Sequence, residues 1–488
     1  MSKKFTGSRQ KQLSFQKKEH NGKTSANLVP MTFSADACKK ALAKMIIIDE
    51  LPFSFVEGEG FKQFIEVVQP MWKPSGRLVM AKNCMLIYGE EKMALKQIVK
   101  HQRLCLTTDT WTSVQNLNYM CLTGHFIDDN WKYQKKILNF CVVPNHKGDT
   151  LGRMVEQCLL DWGIDKFLTV TVDNASSNSL LIAYLERKTK HRKTTILNHE
   201  FLHVRCSAHI LNLIVREGLQ EIDDPIGRVR NIVRYVRSSP SRMAEFWSCV
   251  EKEGITCRLK PCLDVSTRWN YTYFMLERAL TYQKAFDRLC DDPSFKLNVR
   301  EEEIDEAFDD VDGFEGMDIV KLCETDDSEL HDMALGMREK FDKYWGDFDK
   351  INQMLMFAVV LDLRCKIGFF EYCFRNTLGY DKTVVGELTD NITNGITRLF
   401  EWYVKNNANS NVHSQEMHMQ KETNMACKSE LGKYLVEASE DDSDKFDVLR
   451  WWKLNSSKYP IVSQMARDVL AIPVSTVASE SAFSTVDV

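Results

Sequence analysis

The stretch from Leu104 to Ile127, LCLTTDTWTSVQNLNYMCLTGHFI, constrains the fold of this chain more than any other. Its first residues, Leu104 to Thr108, are apolar or hydroxylated and predict a buried strand that ends at Asp109. Residues Tyr119 to Ile127 predict a neighbouring strand. An aspartate at the end of a strand is often only a turn cap, so Asp109 alone does not establish a site.

A second aspartate occupies the same kind of position. Phe167 to Val172 alternates in the manner of a strand, and Asp173 follows it directly in FLTVTVDNASSN. Two carboxylates at strand ends of one sheet can converge on a divalent metal, which prefers hard oxygen ligands. The alternative is that Asp173 caps the helix that the next residues, Asn174 to Asn178, predict to begin.

The order of the predicted elements favours a mixed sheet of the ribonuclease H type. A strand at Lys136–Val143 and a helix at Leu151–Trp162 lie between the two aspartates. Three strands at hairpin distance, followed by a helical crossover, give a sheet with both antiparallel and parallel pairs. The predicted fold class is α/β plus α, with the first part of the core at 103–219 and a mostly helical insertion at 220–440, whose acidic linker lies near 301–332.

The composition excludes several classes of protein. A formal net charge of -4 argues against a uniformly basic nucleic-acid-binding protein, so any contact with DNA must come from local patches. The 15 cysteines are odd in number and irregularly spaced, which is typical of reduced thiols in an intracellular protein. The chain shows neither a signal peptide nor an apolar run of membrane-spanning length, which predicts a soluble protein without a membrane partner.

Two basic segments are candidates for phosphate contact. Residues 1–33 are rich in Lys and Arg and predict a disordered arm that touches phosphate or serves as a nuclear address. A small helical domain is predicted to follow at 34–102. The second segment is a short run of five cations: Arg187, Lys188, Lys190, Arg192 and Lys193. In both cases a solvated segment without a partner is the alternative.

One motif points to a different chemistry. His199, Glu200 and His203 match the HExxH pattern of zinc peptidases. That pattern requires a helix and a third ligand, whereas the sequence here continues into FLHVRC, which predicts a strand. A zinc peptidase is therefore a remote alternative.

Five motifs, taken in order, resemble a known family. They are TTDTWTS, TVDNASSN, HVRCSAHILNLIV, VSTRWN and the terminal WWKLNSSKYPIVSQMARDVLAIPVSTVASESAFS. Together they resemble the hAT superfamily of transposases, and among these the plant RICESLEEPER group of transposase-derived proteins. The resemblance covers about residues 36 to 486.

The resemblance implies a catalytic and metal-binding triad. Asp109, Asp173 and Glu480, the last in Ser479-Glu480-Ser481, match the three acids that hold Mg2+ or Mn2+ for DNA cleavage in an active family member. From local sequence alone, Glu480 equally suits a helix-start acid stabilised by the helix dipole.

The resemblance also implies three DNA-binding residues. His209, in the C-x-x-H motif with Cys206, is expected near the scissile DNA. Arg268 is expected to hold phosphate and Trp269 to stack on a flipped nucleotide. Without the family, Cys206 and His209 suit a helix cap, and a buried tryptophan is the better interpretation of Trp269.

The last segment, 441–488, resembles the hAT dimerisation region and is predicted to form two amphipathic helices on either side of Tyr459-Pro460. The residues expected to stabilise a dimer are Leu449, Trp451, Trp452, Tyr459, Met465 and Leu470. Compared with the family, we expect this region to be truncated at Val488 and the N-terminal BED zinc finger to be missing, because paired Cys and His ligands are not found.

These observations predict a nuclear, transposase-derived, DNA-binding protein that associates with itself or with a related hAT-type protein. Transposition is expected to be lost, and no zinc finger is expected. An active transposase that cleaves DNA with Mg2+ is the alternative.

Overall fold

The computed structural model describes residues 12–20, 23–31, 33–113, 115–190, 192, 195–221, 223–264, 269–289, 323, 327–411, 430–441, 443 and 446–480. Within these ranges, the side chains of 12–31, 221, 223, 225, 269, 329, 349, 408–411, 478 and 480 lie outside the description. The chain divides into two compact units, Met1–His101 and Gln102–Val488.

The described residues of the first unit form a hairpin and three α-helices. Strands β1 (Gln12–His20) and β2 (Lys23–Met31) pair antiparallel. The helices are α1 (Ala35–Ile48), α2 (Glu59–Val68) and α3 (Arg77–Val99), with a 3-10 helix at Phe53–Glu57. Their small core contains Leu42, Ala43, Ile46, Val56, Trp72, Met80, Cys84 and Ile87.

Strands β1 and β2 lie within 1–33, the segment for which a disordered arm is predicted. The dipeptide Asn21-Gly22 lies between the two strands in the sequence, and Asn-Gly is the strongest short-range signal for a tight hairpin. The lysine-rich composition of the segment predicts disorder, whereas its turn residues predict a hairpin.

The second unit is built on a five-stranded mixed sheet with the order β5-β4-β3-β6-β7. Its strands are β3 (Leu104–Thr112), β4 (Asn118–Ile127), β5 (Tyr133–Val142), β6 (Phe167–Val172) and β7 (His203–Arg205). Strands β3, β4 and β5 pair antiparallel, whereas β6 runs parallel to both β3 and β7. The predicted ribonuclease H-like mixed sheet is confirmed.

The helices of the second unit fall into two groups along the chain. The first group is α4 (Gly148–Trp162), α5 (Ser176–Thr189), α6 (Ser207–Glu221), α7 (Asp223–Arg237), α8 (Pro240–Lys252), α9 (Trp269–Thr281) and α10 (Gln283–Leu289). The second is α11 (Ser328–Trp345), α12 (Gln353–Val360), α13 (Lys366–Tyr372), α14 (Lys382–Asn411), α15 (430–436), α16 (Val448–Asn455), α17 (Pro460–Val469) and α18 (Val477–Glu480). Among the described helices, none combines the length and the apolar character that crossing a bilayer requires.

The C-terminal segment covers one face of the sheet. Cys105 Sγ donates to the carbonyl of Asp468 across 3.6 Å, and Thr171 Oγ1 donates to the carbonyl of Pro473 across 2.8 Å. Thr107, two residues after Cys105 and therefore on the same face of β3, lies 2.9 Å from Ser479 through the two side-chain oxygens. Residues 468–479 thus return across the middle of the sheet.

The largest hydrophobic core joins the helical second group to the sheet. It includes Ile127 and Leu168 from the sheet side, and its helical members include Phe357, Ile396, Trp452, Val462 and Met465. Trp452 is fully buried, packs beside Tyr434 with ring centroids 5.1 Å apart and the rings tilted by 36°, and donates its indole N–H to the carbonyl of Leu361 across 2.9 Å.

Trp452→Ala is expected to lower the free energy of unfolding of the unit by about 3 to 5 kcal/mol, because it removes a fully buried indole from a packed core. Chemical denaturation followed by circular dichroism measures this loss. The matched control is Leu454→Ala on the same helix, where the side chain is 72% exposed and the expected loss is below about 0.5 kcal/mol. Equal losses in the two variants would contradict the packing described here.

Candidate functional site

The register between β3 and β6 brings the two predicted aspartates to adjacent positions. Leu106 pairs with Val170 and Thr107 with Thr171. Asp109 lies two residues after Thr107, and Asp173 lies two residues after Thr171. Strand β3 continues to Thr112, so Asp109 does not end its strand as predicted. It lies instead where β6 ends, beyond Val172, and β3 loses its parallel partner.

Each aspartate accepts hydrogen bonds from its own loop or strand. Asp109 Oδ1 accepts a hydrogen bond from the backbone N–H of Thr110 across 2.8 Å. Asp173 Oδ1 accepts one from the backbone N–H of Ala175 across 2.8 Å and another from the Asn178 side-chain amide. Asp173 therefore orients the start of α5, as expected if it caps that helix. Its side chain is also half-buried beside Asp109.

The C-x-x-H motif lies at the end of the next strand. The backbone N–H of Cys206 donates to the carbonyl of Val172 across 2.8 Å, which places the start of α6 beside Asp173. His209 Nδ1 lies 3.2 Å from Cys206 Sγ, and the sulfur also accepts from the backbone N–H of Thr476 across 3.3 Å. The two motif residues thus contact each other, and Cys206 also contacts the C-terminal segment, so capping the helix is not their only role.

The electrostatics of the site show that these groups act on one another. The hydrogen bond with Cys206 and the negative charges of Cys206, Asp109 and Asp173 raise the pKa of His209 to about 9, although burial opposes this. Burial alone would raise the pKa of the Cys206 thiol, but hydrogen bonds from His209 and Thr476 outweigh it and hold the pKa below its usual value. Both aspartates therefore place negative potential on the same imidazole.

The third expected acid is carried by α18. This helix lies against β3 and β4, and its Ser479 contacts Thr107, which precedes Asp109 by two residues on the same face of β3. The backbone of Glu480 follows Ser479 directly. The Glu480 side chain lies outside the described residues.

The residues present suit a hard divalent cation. Asp109 and Asp173 supply carboxylate oxygens, and the neighbouring Asn174 has a buried side-chain oxygen and nitrogen without a hydrogen-bond partner among the described residues. No cluster of three or more His, Cys, Asp or Glu suited to a metal occurs among the described side chains, a set that does not contain Glu480.

The basic run lies away from this site. Arg187 and Lys188 lie at the C-terminal end of α5, with their cationic groups 5.8 and 5.7 Å from the ring centre of Tyr184. Asp173 precedes the first residue of that 14-residue helix, so about 20 Å of helix separates the run from the carboxylates. Lys190 caps the end of the helix, and Arg192 Nη1 is buried without a partner in the described part of the chain. Lys193 lies outside the described residues.

Two side chains that are predicted to bind DNA lie outside the described residues. Arg268 lies outside the described residues, and so does the side chain of Trp269, whose backbone begins α9. Their predicted contacts with phosphate and with a flipped nucleotide stay predictions.

The HExxH interpretation is wrong. His199 belongs to a 3-10 helix, Leu197–His199, and His203 begins β7, so the two histidines do not share one face of an α-helix. His199 is buried, and its Nε2 lies 2.6 Å from Thr189 Oγ1. Burial lowers the pKa of His203 to about 4. The pattern arises by chance at a turn between α5 and an edge strand.

The predicted dimerisation residues divide by burial. Trp452, Tyr459 and Met465 are buried in the core of the single chain, whereas Leu449, Trp451 and Leu470 are partly buried against it. The amphipathic faces of α16 and α17 are therefore occupied within the chain. Among the described residues of 430–480, the large apolar side chains that remain exposed are Val436, Leu454, Val474 and Val477, at 88%, 72%, 54% and 53% exposure.

Sequence reasoning missed the polar residues beneath the site. His125 is buried in β4, with Nε2 3.1 Å from Thr107 Oγ1 and Nδ1 2.6 Å from the hydroxyl of Tyr133. The available signal was a histidine within the apolar strand CLTGHFI, which predicts a hydrogen-bonded partner in the core.

A mixed five-stranded sheet with paired carboxylates at the end of its β3–β6 ladder and a long helical insertion defines the ribonuclease H-like class. Family models match most of the second unit: the ZBED1 RNase-like domain at 107–201, its RNase-like helical domain at 204–306, the RNase-H fold of hAT-like transposases at 316–403, and the hAT family C-terminal dimerisation region at 430–487.

Whole-chain relatives agree with these matches. Zinc finger BED domain-containing protein RICESLEEPER 2 of Oryza sativa subsp. japonica is 30% identical over 92% of this chain and 70% of its own length. DAYSLEEPER of Arabidopsis thaliana is 29% identical over 93% and 70%. The "Putative AC transposase" of Zea mays is 32% identical over 97% of this chain, which spans 65% of that protein. The chain belongs to the hAT family of transposases and transposase-derived proteins, with RICESLEEPER-type relatives.

We expect the imidazole of His209 to titrate near pH 9, so that it is a cation at pH 7.5, and nuclear magnetic resonance of the histidine side chains measures this. Asp109→Asn and Cys206→Ser should each lower the midpoint, because each removes a negative charge that favours the imidazolium. His203 provides an internal control, since burial keeps it neutral and its signals should not change between pH 6 and 9. A midpoint below pH 7 for His209 would contradict the arrangement.

Proposed function

We propose that this chain is a nuclear, transposase-derived, DNA-binding protein that binds DNA at the Asp109–Asp173 site together with Mg2+ or Mn2+, and that it associates with itself. The observation that carries the proposal is the position of Asp109 and Asp173, each two residues beyond the paired Thr107 and Thr171 of β3 and β6. The hydrogen bond from Cys206 to Val172 brings the start of α6, which carries His209, beside Asp173. Such a site suits a phosphate group only when a cation offsets the carboxylate charge.

Asp109 and Asp173 would hold the cation, and Glu480 would join them from α18. A divalent cation bound there supplies a Lewis acid that polarises a phosphate oxygen. The imidazolium of His209 would donate a charge-assisted hydrogen bond to a phosphate oxygen from the side of α6. The basic arm and the run Arg187–Lys193 would add contacts that do not depend on DNA sequence.

DNA affinity is expected to rise on addition of Mn2+, and Asp109→Asn should abolish that increase, because the remaining carboxylates of Asp173 and Glu480 hold the cation poorly. Fluorescence anisotropy with a labelled hairpin duplex at fixed ionic strength measures it. Asp165→Asn is the matched control: this exposed aspartate precedes β6, at the opposite end of the strand from Asp173. If Mn2+ increases the DNA affinity of both variants equally, the cation does not bind at the proposed site.

Strand cleavage is the second candidate function. It is favoured by the position of α18, which brings the backbone of Glu480 to the face of β3 that carries Asp109. Cleavage requires acidic residues that hold metal on both sides of a phosphate, which the triad would provide. The same hairpin DNA, incubated with Mg2+ or Mn2+, separates the two candidates.

Nicking by the unaltered protein that falls at least about a hundredfold in Asp109→Asn, but persists in Asp165→Asn, would establish the enzyme. Binding without nicking would favour the transposase-derived role. Nicking that persists in Asp109→Asn would show that the activity does not reside at this site.

Self-association is supported by the match to the hAT C-terminal dimerisation region. Because Trp452 and Met465 are buried within the chain, the contact with a second copy must use residues that remain exposed. We expect Val436→Asp and Leu454→Asp to shift sedimentation velocity profiles toward the monomer without lowering the free energy of unfolding, since both side chains lie in solvent. Absence of a dimer in the unaltered protein would remove this part of the proposal.

A further inference from the structure

We propose that Ser479, Thr107 and His125 are positioning residues, and that their hydrogen-bond chain sets the place of α18, and with it Glu480, relative to Asp109. The hydrogen bonds themselves do not depend on the proposed function. Only their purpose, the alignment of a metal ligand, rests on the proposed function.

The contacts form one continuous line through the sheet. Ser479 Oγ lies 2.9 Å from Thr107 Oγ1 and 3.3 Å from Thr123 Oγ1. Thr107 Oγ1 lies 3.1 Å from His125 Nε2, and His125 Nδ1 lies 2.6 Å from the Tyr133 hydroxyl. The line therefore runs from α18 through β3 and β4 to β5.

The members of this line are buried except at its outer end. Thr107, Thr123 and Ser479 are 0% exposed and His125 is 1% exposed, whereas Tyr133 reaches solvent on β5. A buried hydroxyl without a partner costs about 1 to 3 kcal/mol, so each bond favours a single placement of its neighbour. α18 thus cannot slide along β3 without leaving several buried polar groups unpaired.

The donors and acceptors along the line are consistent. Burial lowers the pKa of His125 to about 4, so its imidazole is neutral near pH 7 and offers one donor and one acceptor. The Tyr133 hydroxyl can donate to Nδ1, the Nε2–H group to Thr107, and Thr107 to Ser479. Ser479 then donates to Thr123, and every hydroxyl in the line is satisfied.

The line terminates beside the site. Asp109 lies two residues beyond Thr107 on the same face of β3, a distance of about 7 Å along the strand. Glu480 follows Ser479 in α18. A contact between Thr107 and Ser479 therefore fixes the approach of one acid to the other, and small displacements of such ligands weaken a metal site.

The first test is hydrogen exchange of the backbone amides at 476–480 in the full chain. Thr107→Val and Ser479→Ala should each accelerate exchange there by roughly tenfold, the factor expected for one lost buried hydrogen bond. Thr108→Val is the matched control: it makes the same substitution on the opposite face of β3, where Thr108 Oγ1 has no partner among the described residues. Unchanged exchange in Thr107→Val and Ser479→Ala would overturn the proposal.

The second test is Mn2+ affinity, measured by electron paramagnetic resonance. Ser479→Ala should weaken binding by about threefold to tenfold, and Glu480→Gln by at least as much. The double variant should bind no more weakly than Glu480→Gln alone, because Ser479 acts through Glu480. Normal affinity in Ser479→Ala beside weakened affinity in Glu480→Gln would overturn the positioning role.

The two proposals fail in different ways. If Asp109→Asn leaves Mn2+ binding unchanged, the proposed function fails, and the exchange measurements still decide whether the line holds α18. If Asp109→Asn abolishes binding while exchange at 476–480 is unaffected by Thr107→Val, the proposed function stands and the positioning chain is excluded.

Discussion

The return of the C-terminal segment across the open face of the sheet is the interaction on which the rest of this structure depends. The polar contacts that hold it include those of Thr107 with Ser479, of Thr171 with the carbonyl of Pro473, and of Cys206 with Thr476. Each joins residues separated by at least 270 positions in sequence. Neither the covered sheet face nor the candidate site is therefore complete until residues 468–479 have docked, and their buried hydroxyls leave few alternative registers.

A mostly buried ion pair, with side chains that are 10% and 16% exposed, lies just before the N-terminal end of β3. Arg103 Nε lies 3.2 Å from Asp468 Oδ2, and the hydroxyl of Tyr403 donates to that oxygen across 2.6 Å. Burial raises the pKa of Asp468, although the Arg103 cation and this hydrogen bond oppose it. The carboxylate thus connects β3, α14 and α17. Because removing one partner of a buried pair leaves an uncompensated charge, this ion pair ties the helical insertion to the sheet that carries the site.

Local sequence predicted the sheet because its strands are defined by their own residues. Phe167–Val172 has the predicted bounds, since alternation and the following turn residues mark both ends. β3 is longer than predicted because Thr110, Trp111 and Thr112 still pair with β4 after β6 has ended. The hairpin at β1 and β2 was missed for the opposite reason, as a turn signal was hidden in a basic composition.

Sequence patterns did not identify the surface that packs against each amphipathic face. An amphipathic helix shows that it is covered but not by what, so Trp452 suited a dimer contact as well as the intramolecular core in which it lies. The same limit applies to Ser479 and Thr107, because hydroxyls more than 300 residues apart carry no mutual signal in one sequence. The Asp109–Asp173 pair was predictable because adjacent parallel strands place equivalent positions side by side.

The charges at the site explain why a histidine and two carboxylates can share it. His209 remains protonated partly because Asp109 and Asp173 favour its charged form, and partly because of its hydrogen bond with Cys206. Neutralising the two carboxylates weakens their contribution to the raised pKa of His209. The contribution of the hydrogen bond with Cys206 remains. If the aspartates hold a cation as proposed, its binding and proton binding at His209 would oppose each other by linkage, so cation affinity would rise with pH through the range in which His209 titrates. Thr476 provides a further connection, because its N–H donates to the same sulfur that holds His209, and it belongs to the segment that carries Glu480. The docking of the C-terminal segment and the protonation of His209 are therefore coupled through Cys206.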